Sequence, residues 1–168
     1  MFSFLGALTL TTFITAAAGA GQHVSDGELQ RFIAKTRFPI GCQDAAVASN
    51  TLRAKPTTDP ARLHDAATTY RACATGPYGT GASSLANQAN FAAAAALLLA
   101  SRYEPPAAAR NDARAAGVLA QAIVDYRRPR SVATPALNDD PSIYRTDAGR
   151  IARDAASLIA ALPTTSPV

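Results

Sequence analysis

Apolar positions recur at helical spacing in six stretches of the chain, and in one of them the alternation gives way to an unbroken run. Phe91–Ala100 reads FAAAAALLLA, ten apolar or small residues in succession. Ala and Leu are the strongest helix formers, so the surrounding stretch from about Ser83 to Tyr103 is predicted to be helical with little outside help. Ser83 or Ser84 would cap its first turn. Leu85, Ala89, Ala92, Ala96, Leu99 and Tyr103 share one face, while Phe91 and Leu98 fall on another. A helix apolar nearly all round is buried on several sides. The run is too short to cross a bilayer, which takes about 20 apolar residues.

The other stretches carry their own start and stop signals. Ser25-Asp26-Gly27-Glu28 is a capping box, followed by Leu29, Phe32 and Ile33 as an inward stripe. A second helix covers Asp44 to Arg53 with Ala45, Ala48 and Leu52 inward, and Lys55-Pro56 stops it. Asp59-Pro60 pairs a capping aspartate with proline at the first helical position. The helix it opens carries Leu63, Ala66, Ala67, Tyr70, Cys73 and Ala74 inward, and Gly76-Pro77 ends it. A fifth helix runs from about Pro106 to Arg127. Gly117 in its middle costs about 1 kcal/mol against alanine, and close approach of a neighbouring helix is the expected compensation. After a loop from Arg128 to Asp139, Asp140-Pro141 opens the last helix, with Tyr144, Ala148, Ile151, Ala155, Leu158 and Leu162 inward. Its Arg150, Arg153, Asp147 and Asp154 read as a solvated outer face with pairs at i,i+3 and i,i+4 spacing.

No stretch shows the alternation of a strand, so the expected fold is all-α, a compact bundle of five or six helices. Leu63-x-x-Ala66-Ala67-x-x-Tyr70-Arg71 echoes Leu119-x-x-Ala122-Ile123-x-x-Tyr126-Arg127. The echo is compatible with stacked helical hairpins and a tetratricopeptide-like solenoid, although its offset exceeds the roughly 34 residues of that unit. At 168 residues the chain suits one domain. Met1–Ala20 has no charged side chain and ends in small residues that fit signal-peptidase cleavage. Four threonines and that ending favour a removed signal peptide over an anchor. Residues 21–162 form the expected helical domain, and 163–168 a disordered tail with no secondary structure.

Cys42 and Cys73 are the two cysteines, an even number in a chain read as exported, and they predict a disulfide. The other candidate chemistry is sparse. His64 stands beside the buried stripe of its helix and reads as a boundary residue, and His23 falls in a mobile N-terminal segment. No histidine or cysteine spacing supplies the three ligands that zinc needs, so no metal and no cofactor are expected. Neither GxSxG nor a phosphate-loop GK[ST] occurs. Tyr126, Arg127, Arg128 and Arg130 form the densest basic cluster and could hold an anion or complement a helix C-terminus. Asn87, Gln88 and Asn90, with Tyr78 on the preceding glycine-rich loop, could line a pocket or tie that loop down.

A net charge of +4 permits an anionic partner without requiring one, and nucleic acid is not expected. These features point to a secreted or periplasmic, non-enzymatic helical binding module. It would contact a protein or an anionic envelope component, with no stable membrane span after signal cleavage. The competing reading is a small secreted helical enzyme with a polar site near His64 or near Asn87, Gln88 and Asn90. Alanine-rich faces pack equally well within and between chains, so oligomeric state is not legible.

Overall fold

The computed structural model describes residues 23–38, 40–76, 84–126 and 142–163. Residues 1–20, read above as a signal peptide, lie outside the described residues, as do Tyr78, Arg127, Arg128, Arg130, the residues beyond Pro163 and the Asp140-Pro141 helix start. Six helices pack against each other, with no strand among the described residues: α1 (Asp26–Lys35), α2 (Gln43–Ala54), α3 (Pro60–Thr75), α4 (Ser84–Ser101), α5 (Pro106–Asp125) and α6 (Ser142–Ala161). A short 3₁₀ turn at Ile40–Cys42 leads into α2.

The centre of the bundle is α4. It packs on α1, α3, α5 and α6. Every residue from Phe91 to Ala100 is buried, and only Leu97 retains any measurable exposure, at 9%. The alanines explain how four neighbours fit around one helix, because short side chains keep the interaxial distance small. Bulk comes from the partners instead: Leu29 and Ile33 of α1, Leu63 and Tyr70 of α3, Ile123 of α5 and Ile151 of α6 are fully buried. At the α1 side, Phe91 meets Phe32 at 5.3 Å and Tyr144 at 5.0 Å between ring centroids, both tilted. Such tilted aromatic contacts add to the area they bury.

The sequence signals for helix starts hold where they are described. Ser25 Oγ accepts from the Glu28 amide while Glu28 Oε2 accepts from the Ser25 amide, completing the capping box. Asp59 accepts from the Ala61 amide, with Pro60 at the first helical position. Cys42 and Cys73 are joined, with 5.4 Å between their Cα atoms, tying the entry of α2 to the last turn of α3. Closing a loop of 31 positions stabilises by roughly 3–4 kcal/mol on a chain-entropy estimate.

Three expectations need correction. Tyr103 does not continue the buried face of α4, because the helix ends at Ser101, and Tyr103 is 49% exposed. The α6 charges are not a plain solvated face: Asp154 is 9% exposed and Arg150 reaches Glu28 of α1 at 2.8 Å. His23 is held rather than loose, with Nδ1 3.0 Å from Asp154 Oδ1. The reason is common to the last two. Val24 is fully buried, which draws the chain before α1 across α6 and covers Asp154.

The two segments of the internal echo meet different surroundings. Ala66 is buried and Ala122 exposed; Tyr70 is buried inside α3, whereas Tyr126 follows the end of α5 and is half-buried.

Gly117 faces α6, but a methyl group there would meet Ala155 Cβ at 3.6 Å, an ordinary contact. Close packing therefore leaves room for alanine. Gly117→Ala is expected to raise stability by about 1 kcal/mol through a more restricted unfolded chain. Urea unfolding of the two proteins measures it, and a loss of stability would mean the α5–α6 spacing cannot accept the added group.

Candidate functional site

Polar chemistry gathers at two places on the bundle. The first is the exit from α4, where Arg102, Tyr103 and Glu104 follow one another before Pro105-Pro106 starts α5. Arg102 and Tyr103 share a partner in Asp26, and Glu104 turns away from them. Arg102 bonds Asp26, the Val24 carbonyl and Asp154, the last at 2.7 Å. Tyr103 donates to Asp26. Those bonds hold the Asp26 carboxyl below its ordinary range against the opposing effect of burial, which is the largest single influence on it.

Glu104 turns to α3. Its Oε1 lies 3.1 Å from His64 Nε2, and the same nitrogen contacts Asp112 Oδ2 of α5. His64 is 42% exposed, Asp112 15% and Glu104 10%. The ligand atoms of the three residues lie within 4.8 Å of one another. Burial, then the charge of Asp112, push the Glu104 carboxyl above the ordinary carboxylate range, and His64 pulls the other way. Glu104 Oε2 is buried without a hydrogen-bond partner among the described residues.

This corrects the expectation that the chain brings no three metal-type ligands together. His64 is the boundary residue the spacing indicated, yet its partners come from 40 and 48 positions away. Within its own helix Asp65 is the neighbour, and it takes no part in the cluster. The missed signal was local to Glu104: a carboxylate wedged between a buried helix and two prolines has little freedom to reach solvent.

The second place is a cleft of about 650 Å³ between the end of α1 and α2. Lys35, Arg37, Arg53, Asn50, Ser49 and Thr36 give it a polar, cationic wall, and Phe38 closes one side; no carboxylate lines it. The wall is fixed from behind. Arg53 donates twice to the Ala34 carbonyl, Ser49 donates to the Ile33 carbonyl at 3.0 Å, and Phe38 stacks on Tyr70 at 5.1 Å. Lys35 is shared between Asp147 at 2.8 Å and the face of Phe32 at 4.7 Å. Burial raises the Tyr70 pKa, so that phenol stays neutral behind the cleft.

Of the residues singled out from sequence, Asn87, Gln88 and Asn90 lie half-buried on the first turns of α4, and Asn87 Nδ2 is buried without a partner among the described residues. Tyr126 is half-buried, and its carbonyl accepts from Arg145 at 2.9 Å. Its basic neighbours and Tyr78 are outside the described residues. No described helix is long and apolar enough to cross a membrane. Compared with known proteins, the chain matches no family model, no curated protein and no solved structure.

Glu28 links the two helices on which the N-terminal segment rests. The Arg150 hydrogen bond, followed by the Ser25 amide, lowers its pKa from 4.5 to about 2. A depressed carboxylate contributes stability that is present above its unfolded pKa and lost as pH falls through the folded one. Thermal stability is therefore expected to decline between about pH 4.5 and pH 2, and Glu28→Gln should flatten that decline. Melting curves across this window decide it; an unchanged slope in the variant would remove Glu28 from the acid response.

Proposed function

We propose that this chain is an exported, non-enzymatic binding module whose α1–α2 cleft receives an anionic group of a protein or envelope component. The observation that carries this reading is the cleft wall itself: Lys35, Arg37 and Arg53 line about 650 Å³ with no lining carboxylate. That volume suits a small-molecule head group or one side-chain cluster of a partner. Arginine presents planar, forked donors that match phosphate and carboxylate, and Arg53 is already oriented by the Ala34 carbonyl. Such pre-orientation reduces the ordering cost of binding. Export is supported by the cysteine pair, since disulfides persist in oxidising compartments, and by the apolar, small-residue stretch Met1–Ala20.

The alternative, a small secreted enzyme with a polar site near His64, has one observation in its favour, the two carboxylates set against that imidazole. The Asn87, Gln88 and Asn90 amides add no acid or base to it.

The two readings separate by experiment. Native mass spectrometry of the protein recovered from its host, followed by recapture of the retained species, should show an anionic partner. Arg37→Glu with Arg53→Glu should weaken recapture at least about tenfold, while His64→Ala leaves it unchanged. Recapture that survives the charge reversals but fails with His64→Ala would overturn the cleft assignment in favour of the His64 site.

A further inference from the structure

Independently of the cleft, we propose that His64, Glu104 and Asp112 form a three-ligand site for a divalent cation of the zinc type. Each residue comes from a different element: α3, the α4–α5 turn and α5. Zinc binds imidazole nitrogen and carboxylate oxygen at about 2.0–2.2 Å, which sets tetrahedral ligand atoms roughly 3.3–3.5 Å apart. His64 Nε2 and Glu104 Oε1 stand 3.1 Å apart, and all three ligand atoms fall within 4.8 Å. Seating an ion asks the three side chains to adjust to that spacing, the His64–Asp112 contact opening and the others closing on the ion.

Hydrogen bonding within the cluster, which includes a Glu104–Asp112 contact, leaves the buried Glu104 Oε2 unserved. His64 Nε2 carries at most one proton, and two carboxylate oxygens face it. Glu104 is nine-tenths buried, it points into the cluster, and its Oε2 has no hydrogen-bond partner among the described residues. Buried carboxylates are normally paired or bound to metal. One dication would engage both carboxylates and the imidazole together, balancing charges that a single proton cannot.

The donor set also selects the ion. Calcium and magnesium take oxygen ligands, and an imidazole nitrogen among three donors counts against both. Imidazole with carboxylate suits zinc and its divalent first-row neighbours. The chain's two thiols are closed in the Cys42–Cys73 disulfide and offer no competing soft site. Three protein ligands leave a fourth position for water. His64, the most exposed of the three, places that position at the surface rather than inside the bundle.

Equilibrium dialysis of the chelator-treated, oxidised full chain against zinc tests the site, with native mass spectrometry giving the stoichiometry. The expected result is one zinc per chain, with affinity at least about tenfold weaker in each of His64→Ala, Glu104→Gln and Asp112→Asn. His23→Ala, the other histidine, should bind as the parent does. Helical circular dichroism confirms that each variant is folded, and cobalt substitution supplies a visible band that His64→Ala should abolish. Failure of the parent to retain zinc, or undiminished binding by folded His64→Ala, would overturn the proposal.

Discussion

Burial of α4 on all sides is the constraint on which the rest of this structure depends. A helix whose second half is alanine and leucine has no polar face to show to water, so the chain must wrap it. α3 and α5, its neighbours in sequence, cover two sides, and α1 and α6 close the others. Alanine gains little from burial by itself, at roughly 25 cal/mol per Å² of apolar surface. What it contributes is proximity. It lets larger residues such as Leu29, Leu63, Ile123 and Ile151 approach the same axis. The Cys42–Cys73 bond then fixes α2, the helix that does not contribute to this enclosure, against α3.

Enclosing an apolar helix pushes the polar chemistry to its ends. At the α4 exit three consecutive side chains reach the surrounding elements: Arg102 the N-terminal segment, α1 and α6, Tyr103 α1, and Glu104 α3. The same turn that locks the bundle thus brings Glu104 to His64 and Asp112. At the far end of α1, α2 packs on α1 and borders the cationic cleft that Arg37 and Arg53 line. The Glu104 cluster follows from the order in which the helices cover α4, and the cleft from α2 packing outside that cover on α1 and α3.

Much of this architecture is legible in the sequence, because helix starts and buried stripes are local properties. Ser25–Glu28, Asp59-Pro60 and the inward residues of α1 and α3 could be read from spacing alone. The polar sites could not, because they depend on which residues the packing brings together. Asp154 looks like any helix-surface aspartate until Val24 is buried beside it. His64 looks unpartnered until α4 and α5 deliver carboxylates from 40 and 48 positions away. Asn87, Gln88 and Asn90 stood out as amides entering a buried helix, and that placement is the part of their reading the fold retains.

Native-state hydrogen exchange tests the central role of α4 most directly. If the bundle is organised around it, the amides of Phe91–Ala100 open only with the whole molecule. Their exchange free energies should then equal the unfolding free energy from denaturant titration, above those of α1 and α6. Exchange of this stretch at a lower free energy than α1 or α6 would contradict the account, because α4 would then open while its supposed cover stays folded.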